Sequence, residues 1–185
     1  RKEKGQGGGG APERMRDTQG ESRQVMLPLA EDAIRSLHAG DRVRLSGVLY
    51  TARDAAHRRL AETLNRGELL PVDLVGQTIY YVGPTPARPG EVIGSAGPTT
   101  STRMDSFTPA LLQAGLKGMI GKGTRSQAVR AAIQQHGAVY FVAVGGAAAL
   151  IARSIKAVEQ IAYADLGTEA IYRLTVEDFP AVVAN

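Results

Sequence analysis

Residues 117–144 read KGMIGKGTRSQAVRAAIQQHGAVYFVAV. The first four, Lys117-Gly118-Met119-Ile120, form a short strand-like run that ends in the turn Gly121-Lys122-Gly123. From Ser126 to His136 the residues Val129, Ala132, Ile133 and His136 recur at helical spacing, with Ser126 placed to cap the start and Gly137 the end. Ala138 to Val144 is almost wholly apolar, as a strand covered on both faces must be. Strand, turn, helix, turn, strand in so few residues is a crossover unit, and it predicts parallel neighbouring strands.

The pattern continues outward. After Val144, Gly145-Gly146 turns the chain. Ala147, Leu150, Ile151, Ser154, Ile155 and Val158 then predict an amphipathic helix over 147–158. Ile171 to Val176 alternates as a final strand. Toward the N-terminus, Phe107 to Ala114 has helical spacing and stops at Gly115. Glu91 to Ser95, Thr78 to Val82, Val72 to Val75 and Asp41 to Tyr50 read as strands, and Val25 to Leu29 as an edge strand limited by Pro28. Thr51 is placed to cap a helix carrying Ala56, Leu60 and Leu64 that ends at Asn65-Arg66-Gly67, and Glu31 to Leu37 predicts a shorter one. The class is α/β: one domain over 25–185, with a strand-rich first half and strand–helix crossovers in the second. Residues 1–24, with Gly7 to Gly10 among charges, read as a disordered tail or linker.

Composition narrows the chemistry. The chain of 185 residues has no cysteine and only His38, His57 and His136, far apart. It therefore offers no thiolate ligands for zinc or an iron–sulfur cluster, and a self-contained transition-metal site is not expected. Of the net charge of +4, the first 24 residues hold half, six Lys/Arg against four Asp/Glu. The remainder has no basic stripe interleaved with aromatics, so nucleic acid is not an expected partner. No apolar run reaches bilayer-spanning length and none resembles a signal peptide, which predicts a cytoplasmic protein without a membrane partner.

The polar corners between strands and helices are more informative. Gly97-Pro98-Thr99-Thr100-Ser101-Thr102-Arg103 follows an apolar run, with Ser101 or Thr102 placed to cap a following helix. Arg53 sits at another such corner, although a cation at a helix start opposes the helix dipole. Lys122 lies between two glycines at a third. It does not belong to a Walker A loop, because Leu116 stands where that loop needs glycine and Gly123 where it needs Ser or Thr. Gly145 and Gly146 mark a fourth corner, either for tight packing or as a pocket lining. If the strands are parallel, these corners share one sheet edge, where α/β folds bind ligands. Three cations and two hydroxyls there suit a small dianion such as a dicarboxylate. No carboxylate pair, Ser-His-Asp set or metal cluster completes an active site, so the chain reads as half of one.

Four motifs occur in order: TARDAAHRR (51–59), GPTTSTRMD (97–105), GMIGKG (118–123) and VAVGGAAA (142–149). Together they resemble the β subunit, or C-terminal domain, of iron–sulfur (class I) fumarases, with the tartrate dehydratase β subunit as a near relative. The resemblance implies a swivelling β/β/α domain. It implies reversible hydration of fumarate to (S)-malate at a [4Fe–4S] cluster held by the cysteines of a partner α subunit or N-terminal domain, in a heterodimer or heterotetramer. By motif, Thr99 matches the proposed base for the carbon-bound proton, and Thr100 a neighbour that touches substrate. Arg53, Arg103 and Lys122 match residues that hold the carboxylates. His57 belongs to the motif without an assigned role. An L-tartrate dehydratase β subunit is the alternative enzyme, and a non-catalytic dicarboxylate-binding or scaffolding module the alternative of another class.

Overall fold

In the computed structural model, which describes residues 21–144 and 146–185, the alternating pattern that begins at Ile171 runs far past Val176. Leu174 and Val176 are buried, and then Phe179, Ala181 and Val183 are buried in the opposite phase. The phase changes where Glu177 and Asp178 oppose Ser46 alone, and Asp178, at φ 55°, donates its N–H to Ser46 Oγ at 3.0 Å. This is a β-bulge. It bends a strand of 13 residues enough to serve several partners.

The strands are β1 (Arg23–Met26), β2 (Arg42–Thr51), β3 (Thr78–Tyr80), β4 (Gly118–Gly121), β5 (Val139–Ala143), β6 (Ile155–Ala162) and β7 (Ile171–Val183). The helices are α1 (Glu31–Ser36), α2 (Asp54–Asn65), α3 (Thr108–Gln113), α4 (Gln127–His136) and α5 (Ala148–Ser154), with 3₁₀ turns at Ser101–Met104 and Ala164–Glu169. β2, β3, β4 and β5 pair side by side in parallel. β7 runs antiparallel to both β5 and β2 and closes the five strands into a barrel. β1 extends the free start of β2, and β6 pairs with the first half of β7.

Alternation along the parallel strands feeds two cores. Leu45, Leu49, Tyr80, Ile120, Phe141, Leu174 and Phe179, from all five barrel strands, pack together. The opposite faces of β3, β4 and β5 present Ile79, Met119 and Tyr140 to Leu60 of α2, Leu111 and Leu112 of α3 and Ile133 of α4. α4 forms as its sequence requires: the Ser126 hydroxyl accepts from Val129 N–H, and Gly137 ends the helix in the left-handed conformation. Among the described residues no helix is long and apolar enough to cross a membrane.

The sheet is mixed rather than largely parallel, because β7 joins it in the opposite sense. The helix expected over 147–158 stops at Ser154. Ile155 and Val158 belong instead to β6, where pairing with β7 outweighs the helical spacing. Val72–Val75 is a turn, since the Asp73 carboxylate takes the Val75 N–H that a strand partner would need. Glu91–Ser95 is not a strand either. Gly94 and Ser95 spend their hydrogen bonds on Thr85, across a loop. Thr51 does not cap α2: its hydroxyl accepts the Tyr172 N–H of β7 at 3.1 Å and lies 3.4 Å from the Ala170 carbonyl. Neither Ser101 nor Thr102 caps a helix, and the Ser101 hydroxyl turns inward to Tyr140 at 2.7 Å.

That inward turn leaves no room at Gly121. A Cβ there would lie 2.0 Å from Ser101 Oγ and 2.8 Å from the Tyr81 ring. Gly121→Ala is expected to lower unfolding free energy by about 1–3 kcal/mol, the usual cost of an overpacked core. An unchanged urea midpoint would show that the two segments are not held this closely.

Candidate functional site

Parallel neighbours end at the same rim, and here the rim carries the polar corners. β2 ends at Thr51, and the Ala52 N–H donates to Tyr80 O at 3.1 Å. Arg53, the next residue, is the N-cap position of α2. Just past β3, the Tyr81 carbonyl accepts the Thr99 N–H at 2.7 Å. Past β4, the Lys122 N–H donates to Thr99 O at 3.2 Å, and the Lys122 carbonyl accepts from Ser101 N–H at 2.9 Å. Thr99-Thr100-Ser101 is thus laced to the carboxyl ends of β3 and β4, with Thr100 and Lys122 paired as a short parallel bridge. Arg103, in the 3₁₀ turn that follows, forms an ion pair with Asp54 in the first turn of α2.

The rim therefore gathers Arg53, Thr99, Thr100, Arg103 and Lys122, as parallel strands require. Lys122 is exposed, Thr99 and Thr100 are half-buried, and the Arg103 side chain is 50% exposed. Arg53 is more enclosed, at 27%. Its stem passes over Gly83, where a Cβ would come within 2.9 Å of Arg53 Cδ. Glu169 offsets the clash of Arg53 with the helix dipole: its carboxylate lies 4.0 Å from Arg53 Nε and takes the Ala55 N–H at 3.4 Å. Gly146 follows β5 on the same rim in a positive-φ turn, with open space where a side chain would be, so it does not serve helix packing. Gly145 lies outside the described residues.

His57 is not at the surface of this rim. It is fully buried one turn behind Arg53, with its ring edge against Tyr81 at 5.2 Å between centroids. Nδ1 lies 2.8 Å from the Arg53 carbonyl, which accepts only if Nδ1 carries the proton. Burial drives the pKa from 6.5 down to about 4, so the ring is neutral and Nε2 is a bare lone pair with no partner among the described residues.

Two residues escaped the sequence reading. Asp54 is one. Arg125 is the other, a cation with 0% side-chain exposure. Its Nε donates to Asp105 at 2.8 Å, Nη1 to the Tyr81 hydroxyl at 3.1 Å and Nη2 to the Thr108 hydroxyl at 2.8 Å, and its guanidinium lies over the Tyr140 ring. Tyr140 in turn donates to the Gly123 carbonyl at 2.7 Å and meets Ser101. Arg125 thus fixes both residues that flank the Thr99–Ser101 segment from below. No local signal marks it, since the oxygens it donates to lie 17 to 44 positions away.

No group of three His, Asp or Glu that could hold a metal exists among the described residues. With no cysteine in the chain either, the residues present do not fit an iron–sulfur cluster.

Fold and rim define an α/β domain with a cationic edge and, among the described residues, no metal-ligating set. More particularly, the chain belongs to the family described as Fumarase C-terminus, whose model matches residues 4–185, beginning inside the stretch read as a tail. It is 41% identical over 179 residues to the Salmonella typhimurium protein named fumarate hydratase class I, aerobic, covering 93% of this chain and 31% of that protein. Against the Escherichia coli fumarate hydratase class I, anaerobic, it is 45% identical over 145 residues, 77% of this chain and 26% of the other. A Methanocaldococcus jannaschii protein carrying the name L(+)-tartrate dehydratase subunit beta is 38% identical over 162 residues, 84% of this chain and 83% of that one. The chain thus spans less than a third of these two fumarate hydratases and matches most of the tartrate dehydratase subunit.

Because the folded-state value of His57 lies below its unfolded 6.5, protons favour the unfolded chain. Its contribution to stability is complete above pH 6.5 and is lost between 6.5 and about 4. The loss should amount to on the order of 3 kcal/mol. Proton NMR of the folded protein should place the midpoint of the His57 ring near pH 4. A midpoint near 6.5 would contradict the buried neutral tautomer.

Proposed function

We propose that this chain is the dicarboxylate-gripping part of a fumarate hydratase, completed by a partner that is either a separate subunit or another domain of the same polypeptide. The convergence of Arg53, Arg103 and Lys122 around Thr99 at one rim carries the reading. Fumarate and malate are C4 dianions, and two guanidiniums on different elements suit two carboxylates held apart. The family names support the substrate class.

In this reading Arg53 and Arg103 orient the two carboxylates, with Lys122 adding charge beside Thr99. Thr99 exchanges the proton on the substrate carbon: its oxygen takes that proton when malate is dehydrated and returns it when fumarate is hydrated. A threonine hydroxyl is a weak base, and three nearby cations favour the alkoxide it must form. Its backbone is held on both sides, by Tyr81 and by Lys122, so the oxygen is presented with little freedom. Thr100 touches the substrate beside it. The resemblance assigns a [4Fe–4S] cluster to the family; its ligands would have to come from the partner, and the hydroxyl end of the reaction falls to groups outside this chain. Swivelling against the partner, assembly as a heterodimer or heterotetramer and a cytoplasmic location belong to the same reading.

A second reading has specific support. The relative matched over most of its length is named for tartrate dehydratase, and (2R,3R)-tartrate is also a C4 dicarboxylate. A competition assay with both substrates separates the two.

The complete enzyme carrying Arg103→Ala should lose about 3 kcal/mol of transition-state stabilisation, on the order of a hundredfold in kcat/KM, as for a charged contact to substrate. Steady-state kinetics of fumarate hydration measures this. Near-normal turnover in that variant would remove the assignment.

A further inference from the structure

We infer that Asp54 is the positioning residue for Arg103, and that its carboxylate sets how firmly the rim grips one end of its ligand. The inference rests on the reading of the rim as a dicarboxylate site.

Asp54 is the first residue of α2, directly after Arg53. A carboxylate is favoured there by the helix N-terminus, and the helix backbone gives it a fixed origin. Its Oδ2 accepts from Arg103 Nη2, and among the described residues this is the only hydrogen bond of the Arg103 side chain. The contact uses one of the five guanidinium donors. The others remain free, on a group that is half exposed, to meet a second carboxylate. Oδ1 of Asp54 is buried with no hydrogen-bond partner among the described residues. The pair is only partly shielded, with the Asp54 side chain 33% exposed against 50% for Arg103, so its hold on Arg103 comes from the fixed helix origin of the carboxylate rather than from full desolvation.

The consequence is geometric. Arg103 lies on the 3₁₀ turn after β3 and the Thr99 segment, whereas Arg53 is the N-cap residue of α2. Asp54 is the side chain that ties the first to the second. Without it, Arg103 spreads over its rotamers, and ordering it on binding must be offset by the ligand. With it, the Arg103 guanidinium is held at the start of α2, by the residue next to Arg53. A dicarboxylate then meets both guanidiniums without that ordering cost.

Two measurements test this. In the purified full chain, nitrogen-15 NMR of the arginine side chains should resolve protected Arg103 Nη–H signals, lost in Asp54→Asn, a variant of nearly the same size. In the enzyme completed by its partner, Asp54→Asn should raise KM for fumarate about tenfold, the factor carried by a modest charge-assisted hydrogen bond, with a smaller effect on kcat. It should add nothing further in an Arg103→Ala background. The inference is overturned if the Arg103 signals are the same in both proteins, if kcat falls while KM holds, or if the two substitutions add in full. Should Arg103→Ala itself leave fumarate kinetics untouched while the NMR pair is present, the reading of the rim fails first and the inference with it. Should Arg103→Ala be severe and Asp54→Asn silent, the rim stands and the inference alone fails.

Discussion

Closure of the sheet by β7 is the constraint from which the rest follows. Four parallel strands alone would leave an open sheet with two unpaired edges. β7 supplies the missing pairs to β2 and β5 at once, and carries β6 on its first half. It can do so because of the bulge at Asp178, which shifts the buried phase from Leu174 and Val176 to Phe179, Ala181 and Val183. β2, β3 and β4 are parallel neighbours whose carboxyl ends lie side by side, and the closed ring keeps them so. The polar corners that follow those strands then share a rim by necessity of topology.

Topology brings the corners close, but packing decides their shape. The buried guanidinium of Arg125 is a costly group to hold, and breaking such a pair by removing one partner typically costs about 3–5 kcal/mol. Here it is satisfied by Asp105, Tyr81 and Thr108 and sandwiched by aromatic rings. Through Tyr81 and Tyr140 it supports the segment bearing Thr99. Asp105 also takes the Ser126 N–H at 2.8 Å and so joins the same network to the start of α4. His57 plays a related part on the other flank, holding the Arg53 carbonyl from a fully buried position against Tyr81. The rim is thus open to solvent above and held by buried hydrogen bonds below.

Local signals were legible in the sequence and long-range ones were not. The unit from β4 through α4 to β5 was read nearly to the residue, because its cap, spacing and glycine stop all lie within it. Arg53 and Lys122 stand just after strands, as the sequence pattern suggests, whereas Thr99, Thr100 and Arg103 follow a loop and not the expected strand at Glu91–Ser95, and reach the rim through backbone bonds to Tyr81 and Lys122. β6 was hidden because Ile155 and Val158 fit a helical period as well as a strand, and only β7 decides between them. The antiparallel closure was invisible for the same reason, and the bulge broke the alternation that would have marked the full length of β7. Asp54 and Arg125 carry meaning only through partners far along the chain: Arg103 lies 49 positions from Asp54, and Tyr81 44 from Arg125.

The central claim is that one ligand is held by cations from three separate elements. A crystal structure of the chain with its partner and a saturated C4 dicarboxylate addresses it directly. The account predicts carboxylate oxygens about 3 Å from the guanidiniums of Arg53 and Arg103, with Lys122 beside them and Thr99 facing the ligand's carbon backbone. A dicarboxylate seated elsewhere, such as the groove of about 780 Å³ lined by Arg88, Arg153 and Lys156, with the rim empty, would contradict it.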